Sequence, residues 1–122
     1  MHPISLGAAV LNGLVDPLSA AAHAHVDDVI WGCVSQVGSN AGNMGRQTVL
    51  SSRLPEHVPG TTVDRQCGSS QQAIHFAAQA VMSGTQDVVI AGGCESMSRV
   101  PMFSNFAGGK LGDPNNDIIR AK

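Results

Sequence analysis

The sequence has no tyrosine, one tryptophan and three phenylalanines, and only 13% of its 122 residues are charged. A net charge of −2 offers no electrostatic attraction toward nucleic acid or an anionic membrane surface. No apolar run approaches the length of a membrane span. The first residues also lack the basic and apolar regions of a secretory signal. The three cysteines are odd in number and widely spaced, which fits neither a disulfide framework nor a zinc site. A reducing, cytoplasmic setting is therefore the expectation. The chain does have many small residues: it is 43% hydrophobic and rich in glycine and alanine. Little charge and many small side chains suit elements covered on several sides, and the length allows one domain at most.

The most informative stretch runs from Val63 to Ala73. The β-branched run Thr61-Thr62-Val63 ends a strand and a helix begins at Ser69, so Cys67 falls in the turn between them. Gly68 directly after it permits a tight, left-handed corner. A sulfur at that corner points toward first-turn N–H groups that lack intrahelical partners. The positive end of the helix dipole there favours an anionic sulfur. The arrangement resembles the strand-turn-helix elbow that exposes a nucleophilic serine, with sulfur replacing oxygen. A free cysteine is more commonly a small buried hydrophobe. The strand before, the glycine after and the uncharged helix beyond favour a nucleophile at Cys67.

The rest of the chain supports an α/β reading. Pro3 to Val15 is a first helix with proline near its start, and Leu6, Ala9, Val10, Gly13 and Leu14 form its apolar or small face. Asp16-Pro17 ends it, Leu18 to His25 is a connector, and Asp28 to Val34 is a buried strand. His23 and His25 could share a metal by spacing, but no cysteine or carboxylate cluster completes such a site. Val37 to Met44 is a Gly/Ser/Asn-rich loop without the G-x-G-x-x-G spacing of a nucleotide site, and a helix follows over about 43–52. Val58 to Asp64 is the strand that delivers Cys67. The helix from Ser69 to Ser83 contains no charged residue. Its apolar face is Ala73, Phe76, Ala77, Ala80 and Val81, and Gly84 caps it. Asp87 to Ala91 is a short apolar strand of the kind buried in parallel sheets. Strand, helix and strand in this order form a crossover, with Cys67 at the carboxyl end of its first strand, where open α/β sheets place active sites.

A nucleophilic thiol needs a proton acceptor, and none can be assigned. His75 lies eight residues along the helix, about 12 Å up its axis at ~1.5 Å per residue. His57 is ten residues upstream, roughly 33 Å away in a fully extended chain. His2, His23 and His25 are read as structural or solvated.

Two segments together carry a family resemblance. Cys67-Gly68-Ser69 with Gln72-Ala73, followed by Gly92-Gly93-Cys94-Glu95-Ser96-Met97-Ser98, resembles the two N-terminal signatures of the thiolases, which include acetyl-CoA acetyltransferases and 3-ketoacyl-CoA thiolases. Asp28-Val29-Ile30-Trp31-Gly32-Cys33 and Gly42-Asn43-Met44-Gly45-Arg46-Gln47 fit as well, so the likeness runs from about His2 to Phe103. The resemblance implies that Cys67 carries the acyl group, while Cys33 and Cys94 match no catalytic position and belong to the core. It implies an α/β fold with mostly parallel buried strands and crossover helices: residues 1–103 are a partial N-terminal core domain and 104–122 the start of an irregular loop region. Acyl-CoA and CoA would be substrates, with no prosthetic group or metal, and the full-length enzyme would be a homo-oligomer.

Several departures go with the likeness. The Gly-His-Pro and Cys-x-Gly-Gly-Gly segments that supply the family's base and second cysteine do not occur, nor does its opening Arg-Thr-Pro-x-Gly strand. Ser70 stands where glycine is common and Asp64 where asparagine is common. The expectation is an internal piece of a thiolase N-terminal domain, inactive alone. The alternatives are a truncated interaction subunit or a fragment of a β-ketoacyl synthase-like enzyme. A redox or metal-binding thiol module would need a second nearby cysteine, which the spacing does not offer.

Overall fold

A computed structural model describes residues 1–122. Its centre is a three-stranded parallel sheet of β1 (Asp28–Gly32), β2 (Gly60–Val63) and β3 (Val89–Gly93), in the order β2-β1-β3. Helices α1 (Pro3–Val15), α2 (Ala20–His23) and α3 (Met44–Leu50) precede β2. Helix α4 (Ser69–Met82) connects β2 to β3. After β3 come a 3-10 segment at Ser104–Gly109 and a short helix, α5 (Asp117–Arg120).

Alternation along the strands assigns side chains to two layers. Val29, Trp31 and Cys33 face one side, where Leu11 and Val15 of α1 and Met44 and Val49 of α3 complete the larger core, with Ile90 and Cys94 packed against it. Ile30 faces the other side and meets Ala73 and Ala77 of α4, flanked by Val63, Val89 and Ala91. The expected mixed fold with parallel strands is present, although the strands are shorter than the sequence pattern suggests. β1 ends at Gly32 instead of Val34, and β2 covers only Gly60–Val63 of the expected 58–64. β3 begins two residues late because Asp27 draws the preceding backbone aside. Its carboxylate accepts the N–H groups of Asp87 (2.7 Å) and Val88 (2.9 Å), and Val88 is 43% exposed.

Two helix faces need correcting. Helix α1 buries Pro3, Gly7, Ala8, Leu11 and Val15, while Leu6, Val10 and Leu14 are 42%, 61% and 58% exposed. Small residues decide the orientation. A Cβ on Gly7 would sit 2.9 Å from Thr48 Oγ1 and 3.3 Å from the Trp31 ring, so α1 can approach α3 and β1 only with its glycine inward. Helix α4 buries Ala73 and Ala77, leaving Phe76 and Val81 exposed. Its contact with the sheet is narrower than the expected apolar face. Gly84 does close this helix, with φ +73° and its N–H donated to the Val81 carbonyl.

Candidate active site

The turn carrying Cys67 is built by three neighbouring side chains. Asp64 Oδ1 accepts the Gln66 N–H (2.8 Å), an Asx-type turn at the end of β2. The Ser69 hydroxyl accepts the Arg65 N–H (2.9 Å) and donates to the Gln66 carbonyl (2.6 Å). Between these two fixings Gln66 adopts φ +49°, a left-handed conformation uncommon outside glycine. The sequence offers Gly68 for this conformation, but Gly68 has φ −96° and serves as the N-cap of α4. The left-handed residue is one step before the cysteine because Asp64 and Ser69 hold the backbone on either side of it.

Gly68 brings no side-chain oxygen to the first-turn amides of α4. Cys67 is exposed directly ahead of those amides, where the helix dipole is positive. The start of the helix also lies unusually close to the sheet. A Cβ on Gly32 would come within 2.6 Å of the Ser70 backbone nitrogen, and one on Gly93 would fall on Ser70 Oγ and lie 2.7 Å from the Gly32 carbonyl oxygen. These two glycines at the ends of β1 and β3 therefore form the seat of the elbow. Ser70, a departure noted in the sequence, occupies the space above Gly93.

Cys67 opens into a cleft of about 410 Å³ at the carboxyl end of the sheet. Gly32 and Gly93 contribute its floor, and Met97, Met102, Phe103 and Phe106 contribute apolar walls. Phe103 and Phe106 stack with ring centroids 5.7 Å apart, and Phe103 itself has φ +72°. Glu95 supplies a support that the sequence reading did not identify. Its carboxylate accepts the N–H groups of Val34 (3.2 Å) and Ser35 (2.8 Å), fastening the segment after β1 to the segment after β3. The available signal was a single carboxylate in an otherwise uncharged run from Val88 to Ser98.

The other two cysteines differ from Cys67. Cys33 is buried, and its thiol is pushed up to about 12 by burial, with smaller contributions from Glu95, Cys94 and Asp64. Cys94 is half-buried, its thiol raised by burial and then by Glu95, and its Sγ lies 3.6 Å from the Pro3 carbonyl oxygen. Both belong to the core layer, as the sequence suggested. No histidine lines the cleft. His23 Nε2 is 2.8 Å from the Val15 carbonyl oxygen and His57 Nε2 is 3.3 Å from that of Ala24. His2 accepts the Ile4 N–H at the start of α1. His25 and His75 are exposed on the surface away from the cleft.

A parallel α/β sheet with a cysteine on a strand-to-helix elbow above the carboxyl ends of its strands defines a class of thiol-bearing α/β domains. Within that class, residues 1–115 match the model of the thiolase N-terminal domain, and the chain belongs to that family. It is 54% identical over 110 residues to the steroid 3-ketoacyl-CoA thiolase FadA6 of Mycobacterium tuberculosis, a match covering 90% of this chain and 27% of that protein. It is 45% identical over 107 residues to a beta-ketoadipyl-CoA thiolase of Acinetobacter baylyi, covering 88% of this chain and 27% of the relative. The crystal structure of the Bacillus anthracis acetyl-CoA acetyltransferase superposes with a TM-score of 0.71 at 37% identity, over 80% of this chain and 24% of that one. The chain thus spans about a quarter of the length of the relatives it matches. No helix is long and apolar enough to cross a membrane.

Proposed function

We propose that Cys67 is the acyl-carrying nucleophile of a thiolase-type acyltransferase acting on CoA thioesters. The observation that carries this reading is its placement: of three cysteines, it alone is exposed, on the elbow before α4 and at the mouth of an apolar-walled cleft. The sulfur attacks the thioester carbonyl of an acyl-CoA, the carbon–sulfur bond to CoA breaks, and the acyl group remains on Cys67. The backbone N–H at Cys67 contributes to holding the oxyanion of the tetrahedral intermediate. The acyl group then passes to the α-carbon of a second acetyl-CoA. In the reverse direction, CoA cleaves a 3-ketoacyl-CoA. The apolar walls from Met97 to Phe106 suit the acyl portion, and the names of the relatives support CoA thioesters as the substrate class.

No histidine of this chain lines the cleft, and neither a proton acceptor for Cys67 nor an acid for the second step is assigned among its residues. Acyl exchange by this chain alone is accordingly expected to be slight or absent. The decisive experiment is a chimera in which residues 1–115 replace the matching segment of the 54% identical thiolase. It should cleave a 3-ketoacyl-CoA and trap an acyl group on Cys67, and Cys67→Ser should abolish both. Equal activity with serine at position 67 would refute the assignment.

A further inference from the structure

Cys33 and Cys94 lie far apart in sequence but meet at the carboxyl end of the sheet. β1 and β3 are parallel and in register through Gly32 and Gly93, so the next residues on each strand are the two cysteines. The Cys94 N–H donates to the Gly32 carbonyl (3.1 Å), which carries the pairing to the strand ends. Alternation turns both side chains to the same face, where both pack in the larger core layer. Neighbouring strands run about 4.7–4.9 Å apart. That spacing falls within the roughly 4.4–6.8 Å between Cα atoms that a disulfide spans. Each cysteine follows the last paired residue of its strand, so the approach of the two Cβ atoms that a disulfide needs can be taken up beyond the ladder. Both residues line the cleft, and Cys94 is only half-buried, so a small oxidant has a route to Cys94.

We infer that Cys33 and Cys94 are a disulfide-forming pair, a modification site beneath the cleft that is separate from Cys67 and takes hydrogen peroxide as its oxidant. Cys94 Sγ attacks one peroxide oxygen, the O–O bond breaks, and Cys94 becomes a sulfenic acid while the thiol proton leaves with the other oxygen as water. Cys33 Sγ then attacks Cys94 Sγ. The S–S bond forms, the S–OH bond breaks, and hydroxide leaves with the Cys33 proton as a second water. Two thiols are oxidised and one peroxide is reduced to two waters. The product cross-links β1 to β3 directly under the glycine seat of α4.

The test oxidises the full chain carrying Cys67→Ser with hydrogen peroxide, followed by intact and tryptic mass spectrometry without reductant. The expected product has lost two hydrogens. It joins the tryptic peptide that contains Cys33 and ends at Arg46 to the one that contains Cys94 and ends at Arg99, and dithiothreitol separates them. Native chain with Cys67 first blocked by iodoacetamide should give the same link, which covers the case in which the variant fails to fold. Cys33 and Cys94 both remaining alkylatable, accumulating as separate sulfinic acids, or joining different molecules would overturn the inference.

Discussion

The Cys67 side chain makes no hydrogen bond and belongs to neither apolar cluster, whereas Ser69 two residues later is 6% exposed and joins two backbone groups. Exposure and structural support are thus divided between neighbouring residues. Cys67→Ala is expected to change the unfolding free energy by no more than about 0.5 kcal/mol in a urea titration. Ser69→Ala should cost about 1–2 kcal/mol, because the Arg65 N–H loses its acceptor in a part-buried turn. In the native protein, limiting iodoacetamide at neutral pH should alkylate Cys67 before Cys33 and Cys94; equal or slower labelling would count against its role. Burial keeps Cys33 protonated in the fold up to about 12, whereas an unfolded thiol titrates near ~8.5. Above the latter value the unfolded state binds fewer protons, so the stability this thiol contributes is complete below that pH and is lost as pH rises toward the former. Cys33→Ala should flatten the alkaline fall in melting temperature. The sequence located the elbow from one strand end and one helix start, but not which residue turns left-handed. That depends on Asp64 and Ser69 gripping Gln66, a matter of side-chain direction that residue type does not specify.

At the scale of elements, the contact between α4 and the sheet depends on the missing side chains of Gly32 and Gly93. Gly32→Ala drives a methyl into the Ser70 backbone, which cannot move without lifting the helix, so a loss of about 1–3 kcal/mol is expected. In Gly93→Ala the first atom met is the Ser70 hydroxyl. Adding Ser70→Gly should therefore recover part of the loss in Gly93→Ala and none in Gly32→Ala, which a double-mutant cycle of denaturation midpoints would show. Helices and strands were recognisable along the chain because their periods differ. The buried faces of α1 and α4 were less so. In α1 (Pro3-Ile-Ser-Leu-Gly-Ala-Ala-Val-Leu-Asn-Gly-Leu-Val15) apolar or small residues occur all round, so hydrophobicity alone offers two stripes. Close approach selects the one containing Gly7 and Ala8, and that selection depends on Thr48 and Trp31, which lie far along the chain.

For the whole molecule, the apolar side chains outside the core are as informative as those within it. Leu6, Val10 and Leu14 form a stripe on α1, and Ile74, Phe76 and Val81 are exposed on α4. Contiguous surface of this kind favours association in water. Changing Leu6, Val10 and Leu14 together to glutamine should lower the sedimenting mass or light scattering of concentrated samples and shift the melting temperature little. A fall in stability as large as that of a core substitution would mean the stripe is buried in solution. The overall architecture was foreseeable from two motifs and the order of elements. The apolar walls of the cleft were not, because Met102, Phe103 and Phe106 lie in a stretch without a regular period and reach Cys67 only through the fold.

The strand leading to Cys67 is the outermost on its side of the sheet, hydrogen-bonded to β1 and to no other strand. A margin strand frays before its neighbours. Deuterium uptake should therefore be quicker across Gly60–Val63 than across Asp28–Gly32. The Cys67 thiol would then be anchored to the most readily loosened thread of the weave, and whatever grips that border in solution would also steady the sulfur.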